Sequence, residues 1–300
     1  TEVVALLAEI FESRGDDTLR VEVAGRFDTL LTTLLTGRHF APAARLLQEC
    51  DRLRDGPGAL PAGATAAFAA LDTRVNEPAV FDDLLAAIGA LEAPDAITAL
   101  RALFDHLTPT LLEPVLTALG TTSENPLRSV LEATSDRLSV ERPDELARVI
   151  LSDEPATALV AAQRAGALQL AITVPSLGRL LVATDHAMRA AAVRSLIAIG
   201  TPPAIKALER TLTDADRELR LTALRALADK PSPALAPRVT QLVSAPGMRE
   251  LEHRERRALF ELFARVGGEG AVATLDGLLN GKAGLFGRRE ESDVRACAAM

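Results

Sequence analysis

The chain has 300 residues, 48% of them apolar and only 3% aromatic, with no Trp or Tyr, and no apolar run reaches the roughly 18 residues that a membrane span needs. Its net charge of −8 is uneven, with 15 basic and 26 acidic side chains in the first 180 residues and 18 and 15 in the rest. That balance disfavours general affinity for nucleic-acid phosphate and leaves the C-terminal arginines as the place where an anion could bind.

Apolar residues three and four apart predict an amphipathic helix over 1–14, with Val3, Val4, Leu6, Leu7, Ile10 and Phe11 on one stripe. A second runs over 18–36, carrying Val23, Phe27, Leu30, Leu31 and Leu34. The stretch from Asp55 to Gly63 is dense in Gly and Pro and marks the clearest break. Helices resume over 65–74 and 78–91, the latter with Phe81, Leu84, Leu85 and Ile88. From Pro94 the lengths settle into pairs of about thirty residues: 94–107 with 109–120, 125–138 with 143–151, and 155–166 with 174–183. The expected organisation is an N-terminal helical segment over 1–60, divergent helical hairpins over 61–153 and clear repeats over 154–300, the last one cut short by the end of the sequence. A sequence that starts without Met and stops at Met300, inside a repeat, is expected to come from a longer multidomain chain.

The repeat is plainest from Asp185 to Leu279. A shift of 31 lays Arg189, Ala192, Val193, Leu196, Leu208 and Leu212 on Arg220, Ala223, Leu224, Leu227, Val239 and Val243; a further shift of 36 gives Arg256, Leu259, Phe260, Phe263, Leu275 and Leu279. Gly200-Thr201-Pro202-Pro203 ends one helix and opens the next. Two such helices cannot enclose a core, so each pair must cover its neighbour. An acid stands four residues before each arginine: Asp185 with Arg189, Asp216 with Arg220, Glu252 with Arg256, Glu291 with Arg295. At that spacing the two share a helix face, the acid sits at the positive helix start, and the set is expected to act as a structural ladder. With Met188-Arg189-Ala190-Ala191-Ala192 and Val294-Arg295-Ala296-Cys297-Ala298, the pattern resembles HEAT repeats, the shorter bacterial HEAT-like form in particular, over about 154–300. The resemblance implies an all-α, right-handed solenoid of stacked antiparallel helix pairs, with arginines that stack from repeat to repeat. Position 158, where an arginine would precede Arg189 by one period, is Ala, so the ladder is expected to begin at Arg189.

The added length lies between pairs. From Leu212 to Asp216 is four residues, from Val243 to Glu252 nine, and from Leu279 to Glu291 twelve, while each arginine keeps a 23-residue distance to the second helix. Insertions gathered on one edge are where repeat proteins often bind. Candidate partner contacts are Leu285, Phe286, Arg288 and Arg289, an apolar anchor beside charge, together with Arg249, Arg254 and Arg257. Glu250, Glu252 and Glu255 are interleaved with those last arginines and Arg256, and are expected to neutralise them on a solvated helix face.

Catalytic and metal-binding patterns are missing. His39, His106, His186 and His253 lie in different units with no second His or Cys at ligand spacing, and Cys50 and Cys297, far apart in helical patterns, read as free buried thiols in a reducing compartment. Expected, then, is a non-enzymatic, cytoplasmic scaffold without cofactor, holding a protein partner. A bilin-lyase-like, chromophore-handling role, which the resemblance also allows, and anion or nucleic-acid binding through the C-terminal arginines are the alternatives.

Overall fold

The computed structural model describes residues 2–13, 16–56, 59–88, 94–123, 126–280 and 291–299, and every regular element among them is helical. The chain divides into two units, Thr1–Glu145 and Leu146–Met300.

The first unit holds α1 (Glu2–Ser13), α2 (Asp17–Thr36), α3 (Phe40–Arg54), α4 (Ala62–Val75), α5 (Pro78–Ile88), α6 (Pro94–Phe104), α7 (Leu112–Thr121) and α8 (Pro126–Glu141). The helix expected from 109 starts as a 3-10 turn, Pro109–Leu111. Packing joins α2 to α4, α3 to α6 and α7 to α8. The few aromatics do the filling: Phe68 lies 5.7 Å from Phe11 and 6.4 Å from Phe27, and Phe81 lies 5.8 Å from Phe104, ring centre to ring centre. Polar side chains then tie segments distant in sequence together. Arg74 donates to both oxygens of Asp28 at 2.7 and 3.2 Å. Asn76 donates to the carbonyls of Asp72 and His106 while its oxygen accepts from the Thr108 backbone N–H at 2.6 Å and hydroxyl at 2.9 Å.

Helix α9 (Pro143–Val149) straddles the division. The second unit continues with α10 (Pro155–Ala167), α11 (Val174–Leu180), α12 (His186–Ile199), α13 (Pro202–Leu208), α14 (Arg217–Asp229), α15 (Ala236–Ser244), α16 (His253–Val266), α17 (Gly268–Asn280) and α18 (Ser292–Ala298). Short turns make each successive pair antiparallel. One layer runs α10, α12, α14, α16, α18, each packed on the next; α11 and α13 are neighbours in the other. This is the stacking that the repeat demands, because each helix hides its apolar stripe on the adjoining pair.

Two local features set the geometry. Gly200 closes α12 in the left-handed region, φ +60°, its N–H donating to Leu196 O, and lets the chain double back into the Pro-led α13. Helix α10 packs on α12, and the buried residues of both are mostly small, among them Ala158, Ala161, Ala162, Ala165 and Gly166 of α10 and Ala191, Ala192 and Ser195 of α12. The backbones approach so closely that a Cβ on Gly166 would stand 2.6 Å from the Cα and Oγ of Ser195, whose hydroxyl donates to Ala162 O at 2.7 Å.

Candidate functional site

The repeated acids and arginines occupy the linkers between pairs, and their roles are separate. Asp185, Asp216, Glu252 and Glu291 are the residues at the N-caps of α12, α14, α16 and α18. Asp185 accepts from the backbone N–H of Ala187 and Met188, and Asp216 from that of Leu219. The Leu219 N–H is the chief cause that keeps the Asp216 carboxyl below the usual carboxylate range.

The arginines do not take the acid four residues back. Each turns toward the linker that leads into its own helix, or the helix end before it, and donates to carbonyls there. Arg189 Nη1 reaches Ala183 O and Thr184 O, both at 3.0 Å, and Arg220 Nη1 reaches Asp214 O at 2.8 Å and Ala215 O at 3.1 Å. Arg256 reaches Met248 O, Arg249 O and Leu251 O, and Arg295 reaches Leu279 O at 3.2 Å. The remaining guanidinium edge pairs forward. Arg189 meets Asp214 of the following linker at 3.0 Å, and Arg220 clasps Glu255 of α16 through Nε and Nη2. The reason is steric and electrostatic together: carbonyls at the end of the preceding helix lack intrahelical partners, and a planar fork satisfies two at once. Arg128 in the first unit does the same, donating to Leu119 O and Thr122 O, with no sequence recurrence to announce it.

The basic cluster at 249–257 is rearranged accordingly. Arg256 is 5% exposed and belongs to the interior. The interleaved acids do not neutralise their neighbours: Glu252 pairs with Arg217 and Glu255 with Arg220, both on α14. Arg254 and Arg257 stay exposed on α16 and make no ion pair among the described residues. The insertion at 244–251 is ordered into the 3-10 turn Pro246–Glu250, pinned by buried Met248 and by Arg256. Leu285, Phe286, Arg288 and Arg289 lie outside the described residues.

Both cysteines are free and buried. Burial pushes the Cys50 thiol up to about 12 and raises that of Cys297 as well. Cys297 Sγ lies 3.5 Å from His253 Nδ1, a proximity hidden by a sequence separation of 44. A thiol raised by burial is a poor nucleophile, so the pair has the chemistry of a packing contact. No group of three His, Cys, Asp or Glu able to hold a metal is present among the described residues.

On the opposite edge, where the two helices of a pair join, the turns at Gly200 and Pro231 enclose a cleft of about 660 Å³. Ile205 and Leu235 form its buried floor, Pro202, Pro203, Pro231 and Pro233 its exposed walls, and Lys206, Lys230 and Glu209 its charged lining. Sequence reading treated these turns only as punctuation and missed the site, because its walls come from turns about thirty residues apart.

Residues 143–228 match the family model described as HEAT repeats. No curated protein matches the chain. Among solved structures, the crystal structure of an engineered protein aligns with 99% of this chain and 87% of its own at 17% identity and a TM-score of 0.40.

Proposed function

We propose that this chain is a non-enzymatic helical-repeat scaffold that holds a protein partner. The observation that carries the reading is the use made of its charged side chains: Arg189, Arg220, Arg256 and Glu255, the buried or half-buried charges of the repeat, are spent on linker carbonyls and on one another, which leaves their chemistry closed to a substrate. A scaffold needs stiffness between repeats, and such bonds supply it. The edge between pairs offers the contacts, with Arg254 and Arg257 exposed and Arg249 on the adjoining ordered turn; from the sequence, Leu285, Phe286, Arg288 and Arg289 of the longest insertion are proposed to add to them.

Crosslinking and affinity capture with the whole chain test this. Removing 281–290, or changing Phe286, Arg288 and Arg289 together, is expected to abolish recovery of a specific partner while far-ultraviolet circular dichroism stays unchanged. Recovery that is unaffected by those changes and by charge reversal at Arg254 and Arg257 contradicts this edge as the contact, and turnover of a small molecule contradicts the scaffold reading.

A further inference from the structure

We infer that the cleft between the Gly200 and Pro231 turns is a second binding site, for an extended peptide segment that places an apolar side chain next to a carboxylate. The inference rests on the scaffold reading but uses the opposite edge of the second unit.

The cleft has the proportions of a built site. About 660 Å³ falls within the few hundred to a thousand cubic ångströms of pockets that bury a ligand, and its apolar walls with a few charged groups follow the same pattern. Proline walls are already stiff and donate no backbone hydrogen bond, so they present flat apolar surface at little ordering cost. Ile205 and Leu235 close its base, and the exposed apolar surface that a ligand side chain would cover belongs to Pro202, Pro203, Pro231, Pro233 and Ala234.

The charges choose the occupant. Lys206 and Lys230 make no ion pair among the described residues, so both ammonium groups remain available, against the single acid Glu209. Lys230 is also placed rather than loose. Its ammonium lies against Gly200, where any Cβ would collide with it, at the C-terminal end of α12 whose dipole favours a cation. Two unpaired cations over an apolar floor are complementary to an acid beside an apolar residue, and they repel a basic segment.

The test is selection of a random dodecapeptide display library on the intact chain, followed by fluorescence anisotropy with the enriched peptides. Enriched sequences should carry Asp or Glu next to an apolar residue, and their affinity should fall about tenfold or more in K206E/K230E and weaken with salt. Ala234→Trp, which fills the cleft from an exposed position, should block them equally, with circular dichroism confirming the fold. R254E/R257E should leave them bound. Peptides that survive both cleft variants but are lost in R254E/R257E overturn the cleft and leave the scaffold reading standing. Enrichment of basic peptides, or of none, overturns the inference outright.

Discussion

Arg220 holds Glu255 with two parallel hydrogen bonds, Nε to Oε1 at 2.5 Å and Nη2 to Oε2 at 3.0 Å, across 35 positions of sequence. The same guanidinium donates to the carbonyls of Asp214 and Ala215, so one side chain fastens its own linker and the next helix pair. The Glu255 side chain is 4% exposed, and a carboxylate so placed depends on that partner.

Arg220→Met should therefore destabilise the second unit by about 3 kcal/mol or more, the usual cost of stranding one partner of a buried ion pair. Arg220→Met with Glu255→Met should recover part of the loss, since no carboxylate is left buried. Urea titration of the three variants checks the order: a double variant less stable than Arg220→Met contradicts it.

Gly166 gives a prediction whose sign is diagnostic. In an ordinary helix interior Gly→Ala stabilises by roughly 1 kcal/mol. Here the new Cβ meets Ser195 at 2.6 Å, so Gly166→Ala should instead destabilise by about 1–3 kcal/mol through overpacking of α10 on α12. A thermal midpoint that rises in this variant would refute the close approach.

Acid should weaken the second unit. The folded-state pKa of Asp216 is depressed, first by the Leu219 N–H, so its contribution is present above the unfolded value of about 3.9 and is lost as pH falls through the folded value. In the first unit Asp144, lowered to about 2 mainly by its hydrogen bond from Arg142, acts in the same direction. Asp216→Asn keeps a capping oxygen without the titration, and stability measured from pH 5 to pH 2 should fall less steeply in it than in the unaltered chain.

Thiol reactivity follows burial. With Cys50 pushed up to about 12 and Cys297 raised, iodoacetamide at pH 8 should modify both slowly in the folded chain and quickly in denaturant, as read by mass spectrometry. Rapid modification of Cys50 before unfolding would contradict its place in the core.

The helix pairs were legible because their signals are local. Gly200-Thr201-Pro202-Pro203 stops and restarts a helix by chemistry that acts over four residues, and the apolar recurrence from Met188 to Leu212 repeats whole. Acids at the helix starts were legible for the same reason. The arginine partners were not, since spacing of four suggests a neighbour on the same face whereas Arg189 and Arg220 prefer unsatisfied carbonyls five and six residues back and acids in the next linker or helix. Nor does any sequence rule place Gly166 against Ser195, His253 beside Cys297, or Lys230 over Gly200, each of which requires two helix pairs to be stacked first.

Amide hydrogen exchange on Arg220→Met is the most direct measurement of whether neighbouring helix pairs are fastened one to the next. Protection should fall in 209–216, α14 and α16 while α10 and the N-terminal half of α12 keep theirs, because coupling runs between adjacent pairs. A loss spread evenly from 146 to 299, as in a unit that opens as one globule, would contradict the account.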